Sequence, residues 1–580
     1  MKVFLLVPLL LLLSGIFYTP EAANILCLVG TADHNNPGWS QPLFDALLAK
    51  GHNLIVVSTA PEPTETVDGL MYIHLPNEYD VMQKHFIQPD KGHYQEKRTL
   101  MQLLVWYEVQ LGSCRALIKS DTMQSRMSQV LTALAATFDL IITDVTNGMD
   151  CLLDLVANPN GSPIMGLSAG KLTPDLINLL QAENTINPAK TPHFISPTPH
   201  NMGFWNRVHN HIMFFSAPLV KWYIIRPVLS TIVQPANVYP TLQLALLNTH
   251  PSIDYVQNLP PGVVQVAGLH IKSELQPLPN SIQKFADQFI DGIVYIDLPY
   301  IELMYGVGVP ATYKMMEDNP NCGFIWNVKK MKKVPKTISN LLTLHVDESL
   351  KQDILGQASV KAYINHADSF DVQDAVHFGT PMIVLPLKLE EFNNAQRVKE
   401  RSLGVVVSTN GFNLDSLTVA LKRILNEYIF TNNLYKAEQK FRTRQVSALD
   451  LAVWHAEKLI AEPQLYRNLA QPETNAQNFF VAKSLDVLVI PLFLLIVVIV
   501  NFLQLGYYLY LAFFKREKAV KEEDLDAEPP KKLKKNKVKV CKIGEPANKT
   551  LLEDSINFQD DEAEMTIEGE SRTLIEKKDD

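Results

Sequence analysis

The sequence predicts an α/β protein with two doubly wound parallel sheets facing a cleft, followed by one apolar C-terminal helix able to cross a membrane. Short continuous apolar runs, typical of parallel strands buried on both faces, alternate with stretches that carry apolar residues at helical spacing. This alternation stops near the middle of the 580-residue chain and then restarts. A chain of this length accommodates two or three domains, so we assign each set of strands its own sheet.

The first set of strands forms a predicted N-terminal domain at residues 23–260. Its apolar runs lie at residues 23–30, 53–59, 138–144 and 162–168. Residues 43–52, LFDALLAKGH, carry apolar side chains at helical spacing between the first two runs, so this part is a β-α-β unit.

The second set forms a predicted C-terminal domain at residues 261–460, after a Pro-rich join near residues 258–281. Its apolar runs lie at residues 292–298, 324–328, 361–365, 381–386 and 404–408. Ligands of such sheets bind beyond the carboxyl ends of the strands, so we expect the two domains to share a binding cleft.

The two ends of the chain are segments of other kinds. Residues 1–22 contain one Lys, then a long apolar run, and small residues at the end of the segment where a signal peptidase would cut. This pattern predicts a signal peptide. A return segment, 461–486, leads to the uncharged apolar run 487–514, which is long enough to span a bilayer. The KREK that follows places the C-terminus in the cytosol, and the charged tail 515–580 is predicted to be disordered.

Composition narrows the classes of function. The net charge of −9 is modest for this length, and we expect no nucleic-acid partner. The five cysteines show no CxxC or Cys/His pairing, so the sequence predicts no metal site. A lumenal location permits a disulfide, although the spacing does not decide whether one forms. Asn160, in Asn-Gly-Ser, is a predicted glycosylation acceptor.

Short motifs spread over the predicted lumenal part carry a resemblance to a known family. They are KGH at 50–52, LLNTH at 246–250, VAGLHI at 266–271, PLPNS at 277–281, GTPM at 379–382, NNAQR at 393–397 and SLDV at 484–487. On these motifs the chain resembles the membrane-bound UDP-glycosyltransferases, which include the animal glucuronosyltransferases. The resemblance implies a GT-B fold and transfer of a hexose or glucuronosyl group from a UDP-sugar to a small lipophilic acceptor, with no further cofactor.

The resemblance also implies a cellular setting, namely a type I protein of the endoplasmic reticulum membrane with lumenal domains and a cytosolic tail. Lys577 and Lys578 stand fourth and third from the C-terminus, as in a dilysine retrieval signal. A chance pair of lysines in a charged tail is the alternative, and the predicted topology favours the signal. A homo- or hetero-oligomer is an expectation of the same kind.

The catalytic base of the family is a His of the first domain that accepts the acceptor's hydroxyl proton and is oriented by an Asp. Here the expected His position holds Asn36, whose amide cannot act as a base. His34 lies two residues earlier, and Asp144 stands where the orienting Asp is expected, so these two are the catalytic candidates. A solvated loop histidine and a helix-capping carboxylate are the respective alternatives.

The nucleotide part of the donor site departs from the family pattern. The W-x-P-Q motif, whose Trp stacks on uracil, is replaced by ESLK at 348–351. His366 remains at the place where a His and two glycines meet the diphosphate, but Ala367 and Asp368 replace the glycines. A carboxylate on Asp368 would repel the diphosphate.

The sugar part keeps polar side chains of altered kind. The ribose-binding Glu becomes Asp374, the D-Q pair that holds the sugar hydroxyls becomes Glu390-Glu391, and Asn394 is retained. Glu391 is a pure acceptor where the family has an amide that donates and accepts. Capping and turning a helix–strand unit is the favoured alternative role for Asp374 and Asn394.

The sequence therefore predicts a UDP-glycosyltransferase-family protein of the endoplasmic reticulum membrane whose donor site and catalytic base are degraded, so that activity is weak or lost. The alternative is a non-catalytic member that binds a lipophilic ligand or acts as a partner subunit. A third hypothesis is that the basic tail engages anionic lipid or a cytosolic partner. The alternative, which we favour, is that the tail is a solvated linker.

Overall fold

The computed structural model contains two parallel sheets and one long apolar helix near the C-terminus. It describes residues 22–30, 39–75, 80–88, 91–120, 125, 138–146, 149–153, 161–182, 186–231, 241–304, 306–329, 331, 336, 338–470, 481 and 485–525. Nearly all of the predicted signal peptide, His34, Asn36, Asn160 and the two C-terminal lysines lie outside these residues.

The first sheet consists of seven parallel strands. They are β1 (Asn24–Val29), β2 (Asn53–Ser58), β3 (Leu70–His74), β4 (Leu140–Asp144), β5 (Ile164–Ser168), β6 (Leu244–Leu247) and β7 (Val263–Gln265). Their order is β3-β2-β1-β4-β5-β6-β7. Strand order reverses between β1 and β4, which is the switch point where doubly wound sheets open a crevice at the carboxyl ends of their strands.

The second sheet consists of six parallel strands. They are β8 (Ile293–Ile296), β9 (Gly323–Asn327), β10 (Leu341–Leu344), β11 (Val360–Asn365), β12 (Met382–Val384) and β13 (Gly404–Val406). Their order is β10-β9-β8-β11-β12-β13, so the switch point lies between β8 and β11. The predicted fold class is thereby confirmed.

Fifteen helices are found among the described residues. They are α1 (Gln41–Ala49), α2 (Thr99–Ile118), α3 (Pro174–Leu179), α4 (Phe204–Val220), α5 (Arg226–Leu229), α6 (Asn280–Ala286), α7 (Gly308–Glu317), α8 (Glu348–Leu355), α9 (Ser369–His377), α10 (Glu391–Glu400), α11 (Ser416–Asn426), α12 (Tyr428–Arg442), α13 (Ala448–Ala461), α14 (Pro463–Ala470) and α15 (Leu485–Leu525). Single turns of π or 3-10 helix lie at Met82–Phe86, Met149–Leu152, Lys221–Ile225 and Ile301–Leu303.

Four strands were not predicted from the sequence: β3, β6, β7 and β10. Strands β3 and β7 are the two edge strands of the first sheet, and β10 is an edge strand of the second. Each of these three strands has a single buried residue. Edge strands of this kind lack the continuous apolar run that marks a strand buried on both faces. Strand β6 is fully buried but has only four residues, too few to show a period.

Helix α13 lies against the first sheet although it follows the second sheet in sequence. Its buried face, with Ala452, Ala456 and Leu459, belongs to the same apolar cluster as Leu43 and Leu47 of α1. Apolar burial on this scale stabilises a fold by roughly 1.5–3 kcal/mol for each fully buried Leu or Val. The chain therefore crosses back to its first half before it reaches α15.

Hydrogen bonds join the two halves along the cleft. Gln373 of α9 accepts from the backbone N–H of Gly268 at 2.8 Å and donates to the carbonyl of Asn248 at 3.0 Å. Gln102 of α2 accepts from the N–H of Leu389 at 2.6 Å. The loop and helix that carry the predicted sugar-binding residues are thus fixed to the first half of the chain.

Helix α15 contains the predicted span. Residues Asp486–Lys515 are apolar and long enough to cross a membrane, and they are not buried against other described residues. The helix continues to Leu525, past the end of the predicted span. Among the described helices, Phe204–Leu229 is the other segment of sufficient length and apolarity.

The structure also resolves the cysteine pairing that the sequence left open. Cys114, near the end of α2, is bonded to Cys151 in the turn after β4, which closes a loop of 37 residues. Cys27 and Cys322 are buried free thiols. The bond ties α2 to the edge of the sheet at which the first-domain candidate Asp144 lies.

Reducing this disulfide should lower stability. Closing a 37-residue loop removes entropy from the unfolded chain worth roughly 3–4 kcal/mol in the chain-entropy model. We expect a reductant to lower the thermal unfolding midpoint of the wild-type protein by several degrees. A Cys114→Ser variant should start at the lower midpoint and show no further change with reductant, and equal responses of the two proteins would contradict the pairing.

Candidate functional site

A polar cavity of about 60 Å³ lies at the switch point of the second sheet. It is lined by five acidic residues (Asp297, Glu348, Asp368, Asp371 and Glu391), three basic residues (Lys351, His366 and Lys388) and three others (Pro299, Tyr300 and Phe370). The segments after β8, β11 and β12 and the start of α8 contribute these side chains. This is the place where a nucleotide ligand of a doubly wound sheet would bind.

Lys351 of α8 is, with Lys388, one of two buried lysines that line this cavity. Its Nζ lies 2.9 Å from a carboxylate oxygen of Asp374 and 3.1 Å from one of Asp371. A third carboxylate, from Glu348, lies 2.5 Å from the same nitrogen. Lys351 is 2% exposed and Asp374 is fully buried, so the group is an internal ion network and not a surface ion pair.

Both oxygens of Asp374 are engaged inside the protein. Oδ2 faces Lys351, and Oδ1 lies 3.2 Å from His270 Nε2 and 3.4 Å from the Nε2 of Gln352, which donates to it. Burial by itself would raise the pKa of Asp374, but the charges of Lys351 and His270 lower the pKa below its ordinary value. The predicted ribose-binding acid is therefore ionised, with Oδ1 hydrogen-bonded within the protein and Oδ2 in an ion pair but without a hydrogen bond to any described residue.

The start of α9, where the family pattern expects two glycines, is closed by local hydrogen bonds. Asp368 is the N-cap and accepts from the N–H of Phe370 at 2.9 Å. The N–H of Ala367 donates to the side chain of Asn365 at 2.8 Å. Ala367 has a φ of 65°, a left-handed conformation that a non-glycine residue adopts at a cost of roughly 1–2 kcal/mol.

The turn that leads into α9 holds Ala367 in a left-handed conformation, and two amides at the helix start are engaged internally. A helix N-terminus attracts phosphate because its first N–H groups have no partner within the helix. Here the amides of Ala367 and Phe370 already donate to side chains. The Asp368 carboxyl group lies where a phosphate oxygen would accept the same bond.

The ionisation of Asp368 differs from the sequence-based expectation. Burial raises the pKa of Asp368 well above its ordinary value, and the nearby Asp371 and Glu390 raise it further. Repulsion of a diphosphate by this carboxylate therefore weakens when the group is protonated. The hydrogen bond to Phe370 remains, so occupancy of the helix start is the stronger obstacle to phosphate.

His366 follows β11 and is held by its ring nitrogen Nδ1. This atom lies 2.8 Å from the carbonyl oxygen of Leu385, to which it donates. The ring of Tyr300 lies 5.8 Å away, and the Lys388 ammonium lies 5.9 Å from the centre of the same tyrosine ring. Burial lowers the pKa of Lys388, against the opposing effect of Glu391 and Glu390.

The adjacent acids Glu390 and Glu391 have different surroundings. Glu390 accepts from the hydroxyl of Ser369 at 3.0 Å, and it approaches Gly170 of the first half so closely that a Cβ there would lie 2.5 Å from its Oε2. Glu391 accepts from the backbone N–H groups of Leu387 and Lys388, at 2.8 and 3.1 Å. Burial raises the pKa of Glu391 to about 7, opposed by Lys388.

Asn394 of α10 braces the same turn. Its Nδ2 donates to the carbonyl of Ala367 at 2.8 Å, and its Oδ1 accepts from Arg397 at 2.7 Å. Arg397 is buried and forms an ion pair with Asp254 of the first half. Asn394 thus links the turn before α9 to helix α10. Such contacts are those of a residue that caps and turns a helix–strand unit, the alternative role favoured above.

Of the two catalytic candidates, Asp144 lies within the described residues. It ends β4, is buried, and accepts from the N–H of Thr146 at 2.8 Å. That bond closes a turn directly after the strand, and the helix-capping role given as its alternative stays a prediction. His34 follows β1 at the same switch point in sequence but lies outside the described residues, so its distance from Asp144 is not defined.

Of the predicted donor-site residues, the structure places His366 and Glu391 in the lining of one cavity, with Asp374, Glu390 and Asn394 in contact with residues of its lining or of the adjoining turn. It also adds residues to which the sequence gave no role. Lys351 and His270 bind Asp374, and Gly170 provides the space for Glu390. Lys351 stands where the W-x-P-Q motif has its Gln, and this substitution was the one sign in the sequence that position 351 has a different role. Among the described residues, no group of three His, Cys, Asp or Glu side chains could hold a metal ion.

Sequence comparison identifies the family. A profile described as "UDP-glucoronosyl and UDP-glucosyl transferase" matches residues 41–522. UDP-glucosyltransferase 2 of Dactylopius coccus is 26% identical over 473 residues, which are 78% of this chain and 86% of that protein. UDP-glucuronosyltransferase 1A8 of Homo sapiens is 25% identical over 308 residues, which are 50% of this chain and 54% of that protein.

Solved structures of similar fold include two glycosyltransferases of low sequence identity. Spinosyn forosaminyltransferase SpnP superposes with a TM-score of 0.49 at 16% identity, covering 76% of this chain and all of that one. Glycosyltransferase VinC in complex with dTDP gives a TM-score of 0.49 at 15% identity with the same coverage. By the profile match over most of its length and by its two parallel sheets, the chain belongs to the UDP-glycosyltransferase family and has the GT-B fold.

Proposed function

We propose that this protein is a membrane-anchored member of the UDP-glycosyltransferase family in which binding of the UDP-sugar, and with it glycosyl transfer, is lost. It would act as a non-catalytic member that binds a lipophilic ligand or serves as a partner subunit. The observation that carries the proposal is the ion network of Lys351, which occupies the nucleoside end of the donor cavity.

A nucleoside in the family pose would have to displace this network. The ribose hydroxyls would need an oxygen of Asp374, and both oxygens face cationic or donor groups at 2.9–3.4 Å. Removing one partner of a buried ion pair costs roughly 3–5 kcal/mol, which is a loss of two to three orders of magnitude in affinity. The missing stacking platform at Glu348 adds roughly 1–3 kcal/mol.

The diphosphate and sugar positions support the same conclusion. The amides of Ala367 and Phe370 already donate to side chains at the helix start. Glu391 is folded back onto the backbone of its own loop and offers acceptors where the family pattern has an amide. Two amides at the helix start and the Glu391 carboxyl group are therefore already hydrogen-bonded within the protein.

The cellular setting is part of the proposal. Helix α15 would cross the membrane once, with the tail in the cytosol and both sheets in the lumen of the endoplasmic reticulum. The N-terminal segment would be a cleaved signal peptide, Asn160 would carry a glycan, and Lys577 with Lys578 would return the protein to that compartment.

Weak residual glycosyl transfer is the second candidate function. It is favoured by the retention of His366 in the cavity lining, by Glu390 and Asn394 at the start of α10, and by family membership. In that case His34 or a water would serve as general base and Asp144 would orient it. Donor binding and release of UDP separate this candidate from the non-catalytic function.

Titration with nucleotide tests the proposal directly. For the full-length protein in lipid nanodiscs, we expect no saturable shift of the unfolding midpoint with millimolar UDP, UDP-glucose or UDP-glucuronate. A ligand at a hundredfold its dissociation constant would stabilise the native state by about 2.7 kcal/mol, which the measurement detects. A saturable shift in the wild-type protein, followed by UDP release with a lipophilic alcohol, would establish the second candidate instead.

Restoring the family residues provides the matched variant. Glu348→Trp with Lys351→Gln returns a stacking ring and an amide, and Asp368→Gly opens the helix start. UDP affinity of this triple variant should rise by about tenfold or more above that of the wild-type protein, through stacking and freed amides. If the folded triple variant binds UDP no better than the wild-type protein, these residues are not what closes the cavity.

Removing Lys351 should destabilise the protein strongly. Lys351→Met leaves Asp374 buried without its cation, which costs roughly 3–5 kcal/mol of the free energy of unfolding near neutral pH. The exposed Lys422→Met is the matched control and should be nearly neutral. The double variant Lys351→Met/Asp374→Asn, which removes both charges, should recover part of the loss; urea unfolding measures all three.

The pH dependence of the same variant has a defined sign. In the wild-type protein the lowered pKa of Asp374 contributes stability that is present above about pH 4 and is lost as the pH falls through the folded-state pKa. Without Lys351, burial raises the pKa of Asp374. The loss of unfolding free energy in Lys351→Met, relative to the wild-type protein, should therefore be largest near neutral pH and shrink on acidification. A deficit that does not vary with pH would contradict the ion network.

A further inference from the structure

Helix α4 and the turns that follow it, residues 204–229, have two apolar faces on opposite sides. One face carries Asn210, Met213 and Ala217, which are fully buried. Met213 and Ala217 pack in the apolar cluster that includes Trp106 and Phe194. This face joins the helix to the body of the protein.

The opposite face is exposed and apolar, and we call it the outer stripe. Its members are Phe204, Trp205, Val208, Ile212, Phe215, Leu219, Trp222 and Tyr223. Trp205 and Tyr223 are 77% exposed and Phe215 is 70% exposed. The spacing of three and four residues along this set places its members on one side of a helix, turned away from the buried set.

The buried face is held rigidly, so the outer stripe cannot turn inward. Asn210 donates from its Nδ2 to the carbonyls of Pro188 and Thr191, at 2.6 and 2.8 Å, and accepts from the N–H of His193 at 2.7 Å. Tyr107 donates to the carbonyl of Ala217 at 3.2 Å. The exposure of the stripe is therefore fixed by the contacts on the other side of the helix.

The charged side chains within the segment that carries the stripe are of one sign. Residues 201–231 contain no Asp or Glu, while Arg207, Lys221 and Arg226 are positive. The Lys221 ammonium is paired with Asp175 on the protein side at 2.6 Å, and the Arg226 guanidinium lies 4.3 Å from the centre of the Trp222 ring. A basic helix with Trp, Tyr and Phe on one face has the composition of helices that lie in a membrane interface.

We propose that the outer stripe lies in the interfacial region of the membrane, as a second contact besides the span at Asp486–Lys515. Its ligand is a lipid surface, entered by the aromatic rings and favoured by anionic headgroups near the basic residues. Tethering by the span keeps the stripe at a high effective concentration of bilayer, so a modest intrinsic affinity is sufficient. The inference rests on the anchoring part of the proposed function and is independent of the donor cavity.

Tryptophan quenching in nanodiscs tests the position of the stripe. The full-length protein, at one copy per disc, is placed in phosphatidylcholine with a minority of phosphatidylserine, brominated on the acyl chains. Of the six tryptophans, Trp39, Trp106 and Trp326 are buried, and Trp222 and Trp454 are both 53% exposed. In the double variant Trp205→Phe/Trp222→Phe, the amount of tryptophan fluorescence lost to the brominated lipid should be smaller by about twofold or more than in the wild-type protein. Trp454→Phe, the matched control on α13, should leave it unchanged.

The alternative outcomes are distinct. Equal quenching in the wild-type protein and the double variant, with unchanged unfolding midpoints, would overturn the proposal. Absence of quenching, together with a disulfide between two copies of an Ile212→Cys variant in discs that hold two copies, would assign the stripe to a second chain. A protein that does not enter the discs at all would refute the anchoring itself, without bearing on whether the donor cavity binds UDP.

A charge variant supplies an independent readout. Phe215→Glu/Leu219→Glu places two carboxylates on the stripe, away from the buried set, and should reduce the quenching of Trp205 and Trp222 while the protein stays in the disc. Retained quenching in this variant would also overturn the proposal.

Discussion

A buried ammonium is stable in a protein only when carboxylates surround it, and this requirement organises the cleft of the second sheet. Lys351 is almost fully buried and has three carboxylates within 3.1 Å. Asp374 is buried and Asp371 is largely buried beside it whereas Glu348 is half exposed, so withdrawing one of the first two acids would leave the lysine with weaker compensation. Since the ion network joins α8 to α9, it also fixes the distance between the helix that would carry the base platform and the helix that would carry the phosphate site.

The remaining polar groups of the cavity follow the rule that a buried donor or acceptor needs a partner. In a protein that binds a nucleotide, the ligand is one of these partners. Here Asn365 accepts from the amide of Ala367, Asp368 accepts from that of Phe370, and the Glu391 carboxyl group accepts from two amides of its own loop. These groups have partners within the chain, but Asn365 Nδ2 and Asp374 Oδ2 are buried without a hydrogen bond to any described residue, so the rule is met only in part.

The fold could be predicted from the sequence more fully than the site. Long apolar runs predicted nine strands and the span, but β3, β7 and β10 bury too few residues to give such a run. At the site, sequence position located His366, Asp374 and the acidic pair, because a motif fixes where residues stand along a strand–helix unit. The partners could not be predicted, because Lys351 and Asp374 meet through the packing of two helices, and the burial that sets the pKa of Asp368 is a property of the folded chain.

The contacts between the two halves argue for a cleft that holds its shape. Besides Gln102 and Gln373, Arg401 donates to the carbonyls of Ser252 and Asp254, at 2.9 and 2.6 Å, and Arg397 pairs with Asp254. Opening the cleft would break these bonds and expose buried charge, at roughly 1.5–3 kcal/mol for each hydrogen bond to a charged group. A ligand that bound only weakly in the cavity could not supply that free energy. These contacts between the halves leave a body of fixed shape, suited to presenting its surfaces to a lipid or to a partner protein.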